Sequence, residues 1–377
     1  MTGDIELAPL VLNPQNLLRR EAPRAKHLRD QGYEERFDSR TVFYDCFRTV
    51  DGCGTILLGP PLLNLKRTVL RALRRAYGMS WFSRMTVRQL DRHSQIRMGP
   101  TSDVDLPPGL FRQNHLATKP SHCNIFRERR VVLTLSRDNE LQWIKDWTHF
   151  FVRKHAADAI LLYDNASTKY ESDEIREAIN SVPGLAVGVV VDWPFPYGIQ
   201  DHSYPEFSDY CQYGVLEHAR HRFLAQAQGV VNADIDEFPI TKGGESLFDI
   251  AHRSGTGYLK YGGQWVENAS LFPEAEPAFR RHRHYVYALT SPTDTTENVW
   301  THKWTVIPAR CCAPDAQWCV HLVTQMTPDP LSSLVRFRHF KAINTNWAHD
   351  RWRLEPLNER DHVVDEELRE WLRVFDA

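Results

Sequence analysis

Two aspartates spaced two residues apart, Asp234 and Asp236, follow a short apolar run that begins at Gly229. On an extended chain, alternate side chains point to the same face, so this spacing predicts two carboxylates on one face. Such a pair is costly at a buried strand end unless a cation lies between the carboxylates. Mg²⁺ and Mn²⁺ take oxygen ligands and keep positions for water and substrate phosphate. The pattern therefore predicts a divalent-metal site, while the alternative is a solvated strand end to which Glu237 adds a third acid.

Apolar runs and amphipathic stretches alternate on either side of this motif. The predicted strands are 131–135, 159–163, 187–192 and 229–236, and the predicted helices between them are 138–155, 172–179 and 205–227. This alternation is typical of an α/β fold with a mostly parallel, Rossmann-like sheet flanked by helices. Ligands of such sheets bind beyond the carboxyl ends of the strands. The polar residues expected at that edge are Asn139, Glu140, Asp164, Asn165, Asp192, Asp234 and Asp236.

Outside this region the sequence predicts smaller parts. Residues 1–38 are expected to form a polar arm, and residues 39–120 a small N-terminal β-containing domain with a linker. In the latter, two strands flank the Gly-rich turn at Asp51–Gly54. The main domain is expected over 126–345, followed by a C-terminal helical extension over 346–377.

Composition excludes several classes of protein. The net charge of −2 over 377 residues gives no reason to expect nucleic-acid binding. No apolar run of about 18 residues predicts a membrane span, and no signal peptide is recognisable, so we expect a cytoplasmic protein. The seven cysteines lack paired zinc spacing and are expected to be reduced. The basic amphipathic stretch 65–77 is either an ordinary surface helix or a peripheral contact with an anionic membrane.

Three motifs in order resemble glycosyltransferase family 92, which is related to family 2: Asn139-Glu140, then Leu162–Ser167, then Asp234–Phe238. Gln212, followed by Glu217-His218, also occupies a position that is polar in that family. The sequence departs from the pattern at three places, which are Lys169, Ala219 and the pair Asp146-Trp147.

The resemblance implies a GT-A fold and a hexosyltransferase that moves a sugar from a nucleotide-diphosphate donor, such as UDP-galactose, with inversion. It implies Mn²⁺ or Mg²⁺ held through the Asp-x-Asp motif, with Asp236 as the direct ligand. Asp234 would contact the ribose and a water on the metal. His321 resembles the downstream histidine that completes many GT-A metal sites, and the alternative is a structural histidine. The expected donor-binding residues are Glu140, Asp164, Asn165, Asp192, Gln212, Asp234 and Lys303.

The acceptor side is less closely defined by the sequence. Inversion needs a general base near the acceptor hydroxyl, for which Glu267 is the first candidate and Asp294 the second. Trp265 and His339 are the expected acceptor contacts, and the acceptor would be a glycan or glycolipid. Two other functions stay open, a nucleotidyltransferase and a catalytically silent sugar-binding scaffold. A nucleotidyltransferase would normally carry a Gly-rich loop after the first strand, and the loop 136–140 has no glycine.

Overall fold

The chain divides into two compact units in the computed structural model. The first consists of Gly3–Ile125 and Trp193–Ala225, and the second of Phe126–Asp192 and Gln226–Ala377. Residues 193–225 thus pack with the N-terminal part of the chain, whereas the sequence analysis places them in the main domain; the expected domain boundaries stay a prediction. The structure describes residues 5–79, 85–200, 207–273, 276, 279–290, 302–311, 313, 315–328, 330–345, 354–358 and 360–376.

The elements are numbered in chain order over these residues. The strands are β1 Leu10–Val11, β2 Thr41–Phe43, β3 Asp45–Arg48, β4 Thr55–Gly59, β5 Thr86–Leu90, β6 His93–Met98, β7 Val104–Asp105, β8 His115–Leu116, β9 Arg130–Ser136, β10 Ala159–Asp164, β11 Val187–Asp192, β12 Gly229–Asn232, β13 Glu237–Thr241, β14 Tyr258–Val266, β15 Tyr287–Leu289, β16 His302–Val306, β17 Leu331–Phe340 and β18 His362–Val364. The α-helices are α1 Tyr33–Arg36, α2 Lys66–Tyr77, α3 Leu141–His155, α4 Ser172–Asn180, α5 Tyr210–Arg222, α6 Leu247–Arg253 and α7 Glu366–Leu372.

The first unit contains an antiparallel sheet in the order β3-β4-β6-β5, and its first hairpin encloses the predicted Gly-rich turn. Helix α2 packs on the core of this unit through Val69 and Leu73, and Leu65 just before the helix joins them; all three are fully buried. Its arginines face solvent. Membrane contact through 65–77 stays a prediction, and it would have to use the basic face because the apolar face is already covered. Among the described helices, none is both long and apolar enough to cross a bilayer.

The second unit is built on a mixed sheet in the order β11-β10-β9-β12-β16-β14-β17-β13. Strands β11, β10, β9 and β12 run parallel, as the alternating pattern predicts. The sequences of these strands are continuous apolar runs, as expected for strands that helices such as α3 and α4 cover. The stripe Trp143, Ile144, Trp147 and Phe151 of α3 is buried in the core. The prediction of an α/β fold with a large, mostly parallel sheet is confirmed.

The acidic motif differs from its predicted local structure. Strand β12 ends at Asn232, and β13 begins at Glu237. Asp234 and Asp236 lie in the connection between these strands, where the Glu237 N–H donates to the Asp234 carbonyl at 3.1 Å. The expectation of a strand that continues to 236, with both aspartates on one face, is therefore wrong. The turn lets the two carboxylates reach different partners.

Candidate active site

The carboxyl ends of the parallel strands bring Asp164 and Asp192 side by side, since the two are paired in the register of β10 and β11. Both oxygens of Asp164 are bonded by Ser167, through its hydroxyl at 2.5 Å and its backbone N–H at 3.1 Å. Burial raises the pKa of Asp164, and the bonds from Ser167 lower it in part. Asp192 accepts a hydrogen bond from the Ser172 hydroxyl. The structure thus places both residues at the expected edge, with Asp164 engaged in its own turn.

Glu140 and Asn165 lie in the loops after β9 and β10. Glu140 pairs with Lys169, whose ammonium is 2.6 Å from its carboxylate. Lys169 is one of the positions that depart from the family pattern, and here its charge balances a predicted donor residue. Asn165 is buried, and its N–H donates to the Ser136 carbonyl at 2.8 Å. The four predicted donor-binding residues of this region therefore all border one edge of the sheet, and they are Glu140, Asp164, Asn165 and Asp192.

A buried ammonium lies between two acids of the motif. Lys303 Nζ is 2.7 Å from an oxygen of Asp234 and 3.0 Å from an oxygen of Glu237. Burial alone would lower the pKa of Lys303, but the two carboxylates raise it by more than burial lowers it, so the net shift is upward. Burial raises the pKa of Glu237 to about 7, although the Lys303 ammonium opposes the change. Lys303 thus supplies the positive charge that balances the buried Glu237 and the partly exposed Asp234.

The other aspartate of the motif is paired with a histidine of β17. An oxygen of Asp236 is 3.0 Å from His339 Nε2, and the Asp236 backbone carbonyl accepts from the Phe340 N–H at 2.8 Å. Burial would raise the pKa of Asp236, but the imidazole lowers it by more. Burial would likewise lower the pKa of His339, but the Asp236 carboxylate raises it by more. The two side chains therefore form an ion pair with their ionised states mutually stabilised.

The donor atoms fit a divalent cation. Asp236, Glu237 and His339 each offer one ligand atom, and these atoms all lie within 4.8 Å of one another. Carboxylate oxygens suit Mg²⁺ and Mn²⁺, and an imidazole nitrogen suits transition metals, so the mixed set favours Mn²⁺. Of the three metal ligands that the sequence predicts, the cluster contains Asp236. Asp234 is engaged by Lys303 instead.

His321 lies near the start of β16, where its Nδ1 is 3.0 Å from the His302 carbonyl. Because a carbonyl only accepts, Nδ1 carries the proton, and in the neutral ring Nε2 keeps its lone pair. This is the tautomer that a metal ligand requires. Within the described residues, however, His321 does not belong to a group of ligand atoms as tight as that of Asp236. Its metal role stays a prediction.

Of the two predicted acceptor contacts, His339 belongs to the cluster and Trp265 lies beside it. Trp265 on β14 stacks on His339, with ring centroids 4.2 Å apart and an angle of 23°. This contact follows from the strand pairing, which places Trp265 opposite His339. Glu267 is buried one residue beyond β14 and is bonded by Lys341. Asp294, the second candidate base, lies outside the described residues.

Gln212 belongs to the first unit, on α5, where its side-chain oxygen accepts from the Tyr197 hydroxyl at 2.8 Å. Sequence reasoning assigned no role to Glu237, although its burial and its closeness to Asp236 make it a candidate ligand. Its position directly after the Asp-x-Asp motif was the available signal. The sequence predicts a solvated Glu237 because nothing local in the sequence shows that Lys303 reaches this carboxylate.

Comparison with known proteins gives only distant likenesses. No family model and no curated protein sequence matches the chain. Among solved structures, it is similar to the mannosyltransferase Ktr4p from S. cerevisiae, with 13% identity over 40% of this chain and 41% of that chain and a TM-score of 0.26. It is also similar to the galactosyltransferase LgtC in complex with donor and acceptor sugar analogs, with 12% identity, coverage of 36% and 46%, and a TM-score of 0.24.

A third similar structure is that of the bifunctional glycosyltransferase WbbM, with 11% identity, coverage of 54% of this chain and 37% of that chain, and a TM-score of 0.28. The alignments span less than half of each of these three proteins. All three are named as glycosyltransferases, but likenesses at these TM-scores are too slight to establish a fold family or an activity. The resemblance to glycosyltransferase family 92 stays a prediction.

Proposed function

We propose that this protein is a metal-dependent glycosyltransferase that moves a hexose from a nucleotide-diphosphate donor, such as UDP-galactose, to a glycan or glycolipid acceptor with inversion. The observation that carries the proposal is the cluster of Asp236 and Glu237, which follow the end of β12, with His339 of β17; their ligand atoms lie within 4.8 Å of one another. Its place supports the proposal because ligands of such sheets bind beyond the carboxyl ends of parallel strands. Its chemistry does so as well, since two carboxylates and an imidazole can hold a divalent cation that a diphosphate also binds.

When bound, Mn²⁺ or Mg²⁺ would neutralise the negative charge that develops on the diphosphate as the sugar departs. Asp236, Glu237 and His339 would hold the ion. The Lys303 ammonium, which lies within 3.0 Å of both carboxylates, would offset the negative charge of Asp234 and Glu237. Asp234, whose side chain is more exposed than that of Glu237, would then be available to a ribose hydroxyl.

The nucleoside would bind along the ends of β9, β10 and β11. Glu140, Asp164, Asn165 and Asp192 border this edge, and their oxygens can accept hydrogen bonds from the ribose hydroxyls and from the uracil N–H. Asp164 would do so while it holds Ser167, because a carboxylate has lone pairs for more than two hydrogen bonds. A donor role of Gln212 rests on the family resemblance alone.

The acceptor would bind on the side of Trp265. This ring is only partly buried and is fixed by its stack on His339, so it offers a preorganised surface to the apolar face of a sugar. Inversion requires a base that takes the proton of the attacking hydroxyl. Glu267 is the first candidate, and it would have to part from Lys341 to act. Asp294 remains the second candidate.

The proposal is tested by the release of UDP from a panel of UDP-sugars in the presence of Mn²⁺. The panel contains UDP-galactose, UDP-glucose and their N-acetyl forms, and the proteins are the wild type, Asp236→Asn and the control Asp173→Asn. Asp173 is an exposed residue of α4 whose carboxylate pairs with Arg176 on the same helix. We expect slow release from one donor, unchanged in the control and reduced at least about 100-fold in Asp236→Asn.

Chelation of the metal should abolish the release as well. Equal rates for the wild type and Asp236→Asn would reject the site. No turnover and no Mn²⁺-dependent binding of any UDP-sugar would reject the UDP donor.

A further inference from the structure

A second group of metal-ligating side chains lies in the same unit as the Asp236 cluster but shares no residue with it. It consists of Glu267, Glu355 and His362, whose ligand atoms all lie within 4.8 Å of one another. The three residues come from separate segments of the chain. Glu267 follows β14, His362 begins β18, and the Glu355 N–H donates to the Asn268 carbonyl at 2.9 Å, which fixes its segment beside the end of β14.

The imidazole of His362 is the feature that points to a ligand. Its side chain is 6% exposed, and its Nε2 is buried without a hydrogen-bond partner among the described residues. The nearest Glu355 oxygen is 3.9 Å away, which is too far for a hydrogen bond. A buried polar atom without a partner is costly and needs an explanation. Here the atom lies 3.9 Å from Glu355, and a ring nitrogen and the oxygens of Glu355 and Glu267 lie within 4.8 Å of one another, a separation that a bridging cation would close.

The other ring nitrogen supports this assignment. His362 Nδ1 is 3.2 Å from the Asn358 carbonyl, to which it can donate a hydrogen bond. In the tautomer that makes this bond, the proton is on Nδ1 and the lone pair is on Nε2, which is the usual arrangement of a metal-bound histidine. The same Nδ1 is 3.1 Å from the Asn358 N–H, so the apo ring can also adopt the other tautomer. Binding of a cation at Nε2 would select the first.

We propose that Glu267, Glu355 and His362 bind a divalent transition-metal ion, for which Zn²⁺ is the best match. Zn²⁺ takes histidine nitrogen together with carboxylate oxygen, and three protein ligands leave a fourth position for water. Lys341 holds one oxygen of Glu267 in the structure. The second oxygen remains for the metal, and the Lys341 side chain is exposed enough to turn towards solvent. A Glu267 that is bound in this way would not serve as the general base.

The test counts the metal that each protein retains after dialysis against Zn²⁺ and removal of the free ion. The full chain is compared with His362→Ala, Asp236→Asn and the control His115→Ala. His115 is a matched control because it also lies near two carboxylates, those of Asp103 and Asp105, but it is exposed and already bonded to both. We expect His362→Ala to retain one equivalent less than the wild type. The control should equal the wild type.

The Asp236→Asn protein separates this site from the one in the proposed function. It should keep the equivalent that His362→Ala loses, even if the protein transfers no sugar. A folded His362→Ala that retains as much Zn²⁺ as the wild type would overturn the proposal. If His362→Ala does not fold, Glu355→Gln replaces it, since this side chain is half exposed and tolerates an isosteric change. Calorimetric titration should then show Zn²⁺ binding at least about tenfold weaker, and unchanged affinity would overturn the proposal.

Discussion

The carboxyl group of Glu237 is held almost entirely out of water, and its replacement by glutamine should reduce the loss of stability that the protein undergoes in alkaline solution. Its side chain is 3% exposed, and burial raises its pKa from 4.5 to about 7. Glutamine keeps an oxygen that can accept from the Asp234 N–H, which Glu237 binds at 2.9 Å. It removes the charge that is expensive at this depth. Relative to the wild type, Glu237→Gln should therefore gain stability as the pH rises through the range in which Glu237 ionises.

The sign and size follow from the two pKa values. The carboxyl group of the unfolded chain loses its proton near pH 4.5, while that of the folded protein keeps it up to about pH 7. The stability due to the protonated group is complete below pH 4.5 and is lost as the pH rises through 7. At about 1.4 kcal/mol per pH unit, the loss is about 3 kcal/mol at pH 8.5 and below about 1 kcal/mol at pH 5. The variant should thus gain about 2–3 kcal/mol on the wild type between these two pH values.

Urea unfolding at pH 5 and pH 8.5, with EDTA to remove any metal, measures this difference directly. A control is Glu366→Gln, an exposed residue of α7, for which we expect the same small difference at both pH values. A Glu237→Gln protein whose difference from the wild type does not change with pH would refute the reasoning. So would a variant that is less stable at pH 8.5 than at pH 5, relative to the wild type.

Three further predictions concern the same unit. Lys303→Met leaves the buried carboxylate of Glu237 and the partly exposed one of Asp234 without their cation and should cost about 3–5 kcal/mol in urea unfolding at pH 8. Burial lowers the pKa of His155 to about 4, and backbone groups bond both of its ring nitrogens. The stability that the neutral imidazole contributes is complete above pH 6.5 and should fall by about 3 kcal/mol towards pH 4. His155→Gln cannot be protonated in this range, so its free energy of unfolding should fall less than that of the wild type between pH 7.5 and pH 4.5. Gly263→Ala would place its Cβ 2.4 Å from a ring atom of Phe337 and should cost about 1–3 kcal/mol by thermal unfolding, whereas Gly255→Ala meets no neighbour and should cost less.

The sheet was the most predictable part of this chain. Residues 159–163 form a continuous apolar run, which is what a strand covered on both faces requires, and β10 covers Ala159–Asp164. The end of β12 was not predictable in this way. Valines favour a strand, and although Asn232 and Asp234 are residue types common in turns, no glycine or proline marks where the strand ends.

The partners of the acidic motif depend on strand pairing that a local pattern does not encode. Lys303 is 69 residues from Asp234, and His339 is 103 residues from Asp236. The first contact requires β16 beside β12, and the second requires β17 beside β13, both antiparallel. Hydrophobic periodicity predicts that such strands exist, but it does not give their neighbours. Lys303 and His339 could therefore be named as site residues, while their individual partners could not.

The connection that bears Asp234 and Asp236 also constrains the curvature of the sheet. Strands β12 and β13 are consecutive in the chain, yet β16, β14 and β17 lie between them among the described strands. In a flat sheet four strand spacings would separate them by about 19 Å. The five steps from Asn232 to Glu237 reach at most about 18 Å when fully extended, and the turn shortens them.

The sheet must therefore curve enough to bring the end of β12 and the start of β13 within reach of this connection. Most surface loops accept insertions during evolution because the elements that they join can stay where they are. Here an added residue would relax the bend and move β13, and the histidine paired with Asp236 would move with it. The length of this segment is thus as much a requirement of the site as its acids are.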